Sequence, residues 1–160
     1  MTLFVTVGAQ MPFDRLVHAV DAWAEARGRT DVLAQIGPST APPRFIRHVR
    51  FLEPAEFERA YAEASLVVAH AGTGSILSAL ERGKPIVVMP RRAALRETRN
   101  DHQVATARRF VELGKVPVAW DERELPGVLD RMSADRSAMT VGRFASPELL
   151  GALRRFVEGG

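Results

Sequence analysis

Leu66-Val67-Val68-Ala69-His70-Ala71-Gly72-Thr73-Gly74-Ser75 runs from an apolar, β-branched stretch into two glycines and two hydroxyl residues. The continuous apolar run predicts a strand buried on both faces. Ile76, Leu77 and Leu80 follow at helical spacing, and the helix expected over 75–82 is closed by Gly83 with Pro85 just beyond. Ile86-Val87-Val88-Met89 then reads as a second strand. Apolar strands alternating with helices are the pattern of a parallel sheet covered on both faces, and the same alternation continues in both directions. Further strands are expected over 3–7, 32–36, 49–52 and 117–119. Further helices are expected from Pro12 or Asp14 to Gly28, and over 55–64, 101–113, 122–132 and 147–157. The pattern predicts an α/β fold, a doubly wound, mostly parallel, Rossmann-like sheet.

The 160 residues are 46% hydrophobic and 26% charged, which suits one globular domain over 1–160. Ala41-Pro42-Pro43 marks a loop and not a boundary, because the alternation continues on both sides, and 135–146 is the least patterned stretch. A chain of this size buries about 70% of its unfolded surface and needs no metal or disulfide to fold. It contains no cysteine, which excludes thiol nucleophiles, thiolate metal sites and redox chemistry and is compatible with a reducing cytoplasm. Residues 1–7 are expected to form a strand and not a signal peptide, since the apolar run is short, lacks a basic region and leads straight into Gly8. No apolar run reaches 18 residues, so membrane association would come through a surface or a partner.

The net charge is +3, and every basic residue except Lys84 and Lys115 is arginine. Arg91, Arg92, Arg96 and Arg99 cluster in one segment, which reads either as a solvated loop or as a surface for phosphate or an anionic membrane. Nucleic acid is not an expected partner, because aromatic residues are 7% and no recognition motif is present.

Ligands of open parallel sheets bind beyond the carboxyl ends of the strands, so the turns there carry the chemistry. The first is Gly8-Ala9-Gln10-Met11-Pro12-Phe13-Asp14. In the turn after the fourth strand, Gly72 and Gly74 bring backbone N–H groups near a ligand, Thr73 and Ser75 add hydroxyls, and the following helix directs its positive end there. That combination suits a diphosphate; the plainer reading is a tight turn that needs glycine. Asn100-Asp101-His102-Gln103 opens a helix with hydrogen-bonding capacity in both senses, which suits sugar hydroxyls or, for Asn100 and Asp101, simple capping. His70 and Asp14 are the weak candidates for acid-base catalysis, against structural readings as a bonded strand-end histidine and a helix cap. No Asp-x-Asp pair occurs, so no metal is expected on a diphosphate.

Val5-Thr6-Val7-Gly8, Phe13-Asp14, the run Val67 to Ser75, Gly83-Lys84-Pro85 and Asn100-Asp101-His102-Gln103 together resemble the carboxyl-terminal domain of glycosyltransferase family 28. The resemblance spans about residues 3–120 and leans toward the small catalytic subunits of two-component UDP-sugar transferases, of the dolichol-pathway and bacterial exopolysaccharide types. Met89-Pro90-Arg91-Arg92 favours the bacterial group. It implies the donor-binding lobe of a two-lobed GT-B enzyme, inverting and metal-independent, for which the UDP-sugar is substrate and no cofactor is needed. Gly8, Ala9, Gln10, Gly72, Thr73, Gly74 and Ser75 would hold the diphosphate, with His70 and Asn100 in the donor set and His102 and Gln103 on the sugar.

Many members carry a glutamate for the ribose where this chain has Ser78; Glu81 is the carboxylate one turn on. The resemblance also implies a membrane-anchored partner subunit that supplies the catalytic base and binds a lipid-linked sugar acceptor, with the chain cytoplasmic and peripheral at the membrane. Two other readings share these turns. One is a non-catalytic nucleotide-sugar-binding or scaffold subunit; the other is an epimerase or hydrolase, for which His70, His102 and Asp14 are the available acid-base groups.

Overall fold

The computed structural model describes residues 2–114 and 116–134, together with Gly151 and Arg155. Its elements follow in the order β1 (Leu3–Thr6), α1 (Asp14–Ala26), β2 (Val32–Gln35), β3 (Arg47–Val49), α2 (Pro54–Glu63), β4 (Leu66–His70), α3 (Thr73–Glu81), β5 (Ile86–Met89), α4 (His102–Leu113) and α5 (Leu125–Ala134). The sheet is parallel throughout, in the order β3-β2-β1-β4-β5. The chain therefore starts in the centre, winds to one edge, returns and winds to the other. β1 and β4 lie side by side, with Leu3 opposite Leu66, yet their outgoing connections leave in opposite directions. That divergence opens a crevice at their carboxyl ends, where the Gly8 and Gly72 turns sit.

β1, β4 and β5 are apolar on both sides because helices cover both faces of the sheet. α1 and α5 close one face through Leu16, Val17, Val20, Leu125 and Leu129. α2, α3 and α4 close the other through Tyr61, Ile76, Leu80 and Phe110. Phe4, Phe57 and Tyr61 pack edge-on or tilted, with ring centroids 4.9 to 5.6 Å apart, and hold α2 over β1. Among the described residues no helix is long and apolar enough to cross a membrane.

The expected alternation is present, with local differences. The third strand is Arg47–Val49 and not 49–52, because it is an edge strand paired through its backbone, with Arg47 and His48 exposed. Its apolar successors Phe51 and Leu52 lie in the following loop. The expected strand at 117–119 is reduced to one bridging residue, Val118 against Val88. The fifth helix starts at Leu125, later than 122, since the Asp121 carboxylate accepts the N–H groups of Arg123 and Glu124 in a turn. Of the helix expected over 147–157, Gly151 and Arg155 are described and both are helical; its other residues, and 135–146, lie outside the described residues.

Candidate functional site

The turn after β1 is held from two sides. Gly8 has φ +80°, a left-handed conformation that favours glycine. On one side the buried Gln35 accepts the Thr6 hydroxyl at 2.8 Å and donates its amide N–H groups to the carbonyls of Gly8 (3.1 Å) and Arg50 (3.0 Å). On the other side stands Arg91, only 4% exposed. Its guanidinium donates to the carbonyls of Val7 (2.5 Å), Met11 (2.9 Å), Pro12 (2.8 Å) and Glu97 (3.2 Å), and lies 4.9 Å from the centroid of the Phe13 ring. Neither reading of the arginine cluster describes this residue. Arg91 is an internal clamp that ties the β5 loop to the β1 loop, because four carbonyls converge where it enters. Arg96 and Arg99 are exposed.

The turn after β4 is built around His70. Its ring lies between Gly8 and Gly72: a Cβ at Gly8 would come within 3.0 Å of Nε2, and one at Gly72 within 2.5 Å of Cε1. Both glycines are thus needed for close packing. Gly72 is the N-cap of α3 with no side-chain cap, so the first amides of that helix, Thr73, Gly74 and Ser75, have no partner within the helix. A Cβ on Gly74 would meet nothing within 4 Å, so the turn is open on that side. His70 Nε2 is 3.1 Å from Ser75 Oγ, and Nδ1 is 2.9 Å from the Gln103 side-chain nitrogen and 3.5 Å from Arg91 Nε. Burial first, then the nearby Arg91 charge, lowers the His70 pKa from 6.5 to about 4, so the ring is neutral at pH 7.

Two cavities meet at this junction and share Gly8 and Ala9. One, of about 330 Å³, lies between β1 and the start of α2, with Phe51, Leu52, Phe57, Glu58, Gln35 and Ser75 in its wall. The other, of about 320 Å³, lies toward α4, with Gln10, Met11, His70, Arg91, Thr98 and Gln103 in its wall. Of the residues singled out in the sequence, Gly8, Ala9, Gln10, His70, Ser75 and Gln103 are therefore brought together. Gly72, Thr73 and Gly74 form the turn beside them.

Asn100, His102, Ser78, Glu81 and Asp14 are not in either wall. Asn100 accepts the backbone N–H of His102 at 2.9 Å and so closes the start of α4, while Asp101 accepts that of Ala93 at 3.0 Å. Asp14 accepts the Ser39 hydroxyl at 2.5 Å. Sequence reasoning missed Gln35, Phe51, Leu52, Phe57 and Glu58 in the first cavity and Thr98 in the second. The available signal was Phe51 and Leu52 between a strand and a helix-opening Pro54, at the carboxyl end of a strand where ligands of such sheets bind.

The sequence matches the glycosyltransferase family 28 C-terminal domain over residues 2–138. The chain belongs to this family. It is similar to the UDP-N-acetylglucosamine transferase subunit ALG13 of Eremothecium gossypii, 45% identical over 76 residues that make up 47% of this chain and 36% of that protein. It is similar to the subunit of the same name from Mus musculus, 35% identical over 121 residues, 69% of this chain and 10% of that protein. The chain thus spans a minor part of the length of either relative. Among solved structures, the glycotransferase of kitacinnamycin has the same fold at TM-score 0.64 and 19% identity, matching 99% of this chain and 40% of that one. This family 28 domain is therefore folded like one part of a longer transferase chain.

Proposed function

We propose that this family 28 domain is the donor-binding, catalytic subunit of an inverting, metal-independent UDP-sugar glycosyltransferase. It acts with a membrane-anchored partner on a lipid-linked acceptor in polysaccharide or glycolipid synthesis. The observation that carries the reading is the pair of cavities meeting at a turn rich in backbone donors. The apolar cavity, with Phe51, Leu52 and Phe57, suits a flat base, and Glu58, its carboxylate paired with Arg82, is the one acidic residue in its wall on the side where the ribose would lie. The second cavity, with Gln10, His70, Thr98 and Gln103, suits a sugar. The diphosphate then lies between them, against the unpartnered amides of Thr73, Gly74 and Ser75 at the positive end of α3. The names of the curated relatives, UDP-N-acetylglucosamine transferase subunits, favour a UDP-linked N-acetylhexosamine as donor.

The acceptor oxygen attacks the anomeric carbon, the bond from that carbon to the diphosphate breaks, and UDP leaves with the electron pair. The α3 amides stabilise the charge that develops on the diphosphate. The acceptor proton needs a base. His70 serves poorly, because its pKa near 4 makes it a weak base and both ring nitrogens are already bonded. Asp14 is engaged by Ser39. These engagements support a base supplied by the partner subunit, which would also bring the acceptor and hold the complex at the cytoplasmic membrane face.

The test has two parts. Calorimetry on the chain with UDP, ADP and several UDP-sugars is expected to give binding of the uridine ligands and none of ADP. The chain co-purified with a membrane-anchored product of a neighbouring gene is expected to transfer the sugar to a membrane lipid acceptor. Binding without turnover by the pair would identify a scaffold or sensing subunit, and absence of both would overturn the reading.

A further inference from the structure

The hydrogen-bond chain through Gln103, His70 and Ser75 has a direction that the geometry fixes. The backbone N–H of Arg91, which follows β5, points to Gln103 Oε1 at 3.1 Å. A backbone N–H can only donate, so this contact assigns the amide oxygen to Arg91 and the amide nitrogen to His70. That nitrogen also only donates. His70 Nδ1, 2.9 Å away, must therefore be the bare, accepting nitrogen of the ring. Arg91 Nε, a second donor, converges on the same nitrogen at 3.5 Å. In a neutral imidazole with bare Nδ1 the proton is on Nε2. Nε2–H then donates to Ser75 Oγ at 3.1 Å.

This direction has a consequence for Ser75. A hydroxyl that accepts from the imidazole keeps its own hydrogen for another acceptor. Ser75 is in the first turn of α3 and in the wall of the apolar cavity, beside amides that are themselves donors. With the opposite tautomer, Ser75 would donate to Nε2 and present only lone pairs to a ligand. An anion at this turn would then meet repulsion where it now meets a donor.

We propose that Gln103 is a positioning residue: held by the Arg91 backbone, it sets the tautomer of His70 and so makes Ser75 a hydrogen-bond donor to the anionic group at the α3 amino terminus. That the anion is a nucleotide diphosphate rests on the function proposed above; the tautomer does not. The groups packed on the ring favour its neutral form. Gly8 from the β1 turn, Gly72 and Ser75 from the α3 turn and Gln103 from α4 are uncharged, and Arg91 from the β5 loop carries positive charge.

The experiment uses the full chain labelled with ¹⁵N-histidine, whose ring shifts separate protonated from bare nitrogens. In the wild type, His70 is expected to show bare Nδ1 and protonated Nε2, unchanged from pH 7.5 to 5.5. Protonated Nδ1 in that range would overturn the proposal without any variant being needed. Gln103→Met removes both amide contacts and is expected to give a mixture of tautomers, with about tenfold weaker binding of UDP and of UDP-sugar alike. A loss confined to UDP-sugar would make Gln103 a sugar ligand and overturn the relay. Combined with Ser75→Ala, Gln103→Met is expected to add less than about twofold to the loss from Ser75→Ala alone, and full additivity would refute coupling through Ser75. A wild type with the expected tautomer but no affinity for UDP would sink the donor reading and leave the tautomer assignment standing.

Discussion

Gly72→Ala and Gly74→Ala add the same methyl group two residues apart and should have opposite effects on stability. At position 72 the new Cβ would lie 2.5 Å from His70 Cε1 and 2.9 Å from Nε2. Restoring an ordinary contact of 3.4 Å from 2.5 Å requires a movement of about 0.9 Å. The ring cannot make that movement and keep both its 3.1 Å bond to Ser75 and its 2.9 Å bond to Gln103. Two bonds to a buried ring are lost and their partners are left unsatisfied, at a cost of about 2–4 kcal/mol. At position 74 the new Cβ meets nothing within 4 Å. Gly74 lies in the first turn of α3, where replacing glycine by alanine restricts the unfolded chain and should stabilise by about 0.5 kcal/mol.

Urea denaturation reads both changes, and calorimetry with UDP separates stability from binding. Gly74→Ala should fold as well as wild type or better and yet bind UDP weakly, because the methyl fills the open side of the turn. Gly72→Ala should lose stability and binding together. The packing argument fails if Gly72→Ala is within about 0.5 kcal/mol of wild type with an unmoved His70 ring resonance.

Three further outcomes follow from the same geometry. Arg91→Met should destabilise by about 3 kcal/mol in urea, since it strands the buried carbonyl of Val7 and the partly buried carbonyls of Met11 and Pro12, and unchanged stability would refute the clamp. Phe51→Ala, at a side chain 57% exposed, should leave stability within about 0.5 kcal/mol and weaken UDP severalfold by calorimetry; equal affinity would remove the base from that cavity. The third concerns pH. His70 has a pKa of about 4 when folded against 6.5 in the open chain, so between those values the unfolded state binds more protons and stability falls as pH falls. The loss attributable to His70 is on the order of 3 kcal/mol and is complete only below about pH 4. It should appear as a shallower urea-midpoint dependence on pH in His70→Asn than in wild type, and parallel profiles would contradict it.

Most of the fold is legible because burial on two faces writes itself as continuous apolar runs. Leu66 to Ala69 and Ile86 to Met89 could be placed within a residue for that reason. Arg47–Val49 could not, since an edge strand with exposed side chains is held by its backbone bonds to β2, and its residues carry no apolar signature. The apolar Phe51 and Leu52 drew the expected strand a few residues downstream, although in the structure they leave the sheet and line a cavity.

The site divides in the same way. Glycine turns at Gly8 and Gly72 are visible locally because each answers a local constraint, a positive φ at one and the ring of His70 two residues away at the other. Arg91 is not visible, because Arg92, Arg96 and Arg99 have the same chemistry and what distinguishes it is a set of carbonyls some 80 residues away along the chain. Gln103 shows the limit most clearly. An amide near a helix start offers donors and an acceptor, and from sequence that capacity points outward to a sugar. Its two ends acquire fixed senses only when the backbone N–H of Arg91 and the bare nitrogen of His70 are brought to it from two other strand ends. Direction in a hydrogen-bond chain belongs to the tertiary structure.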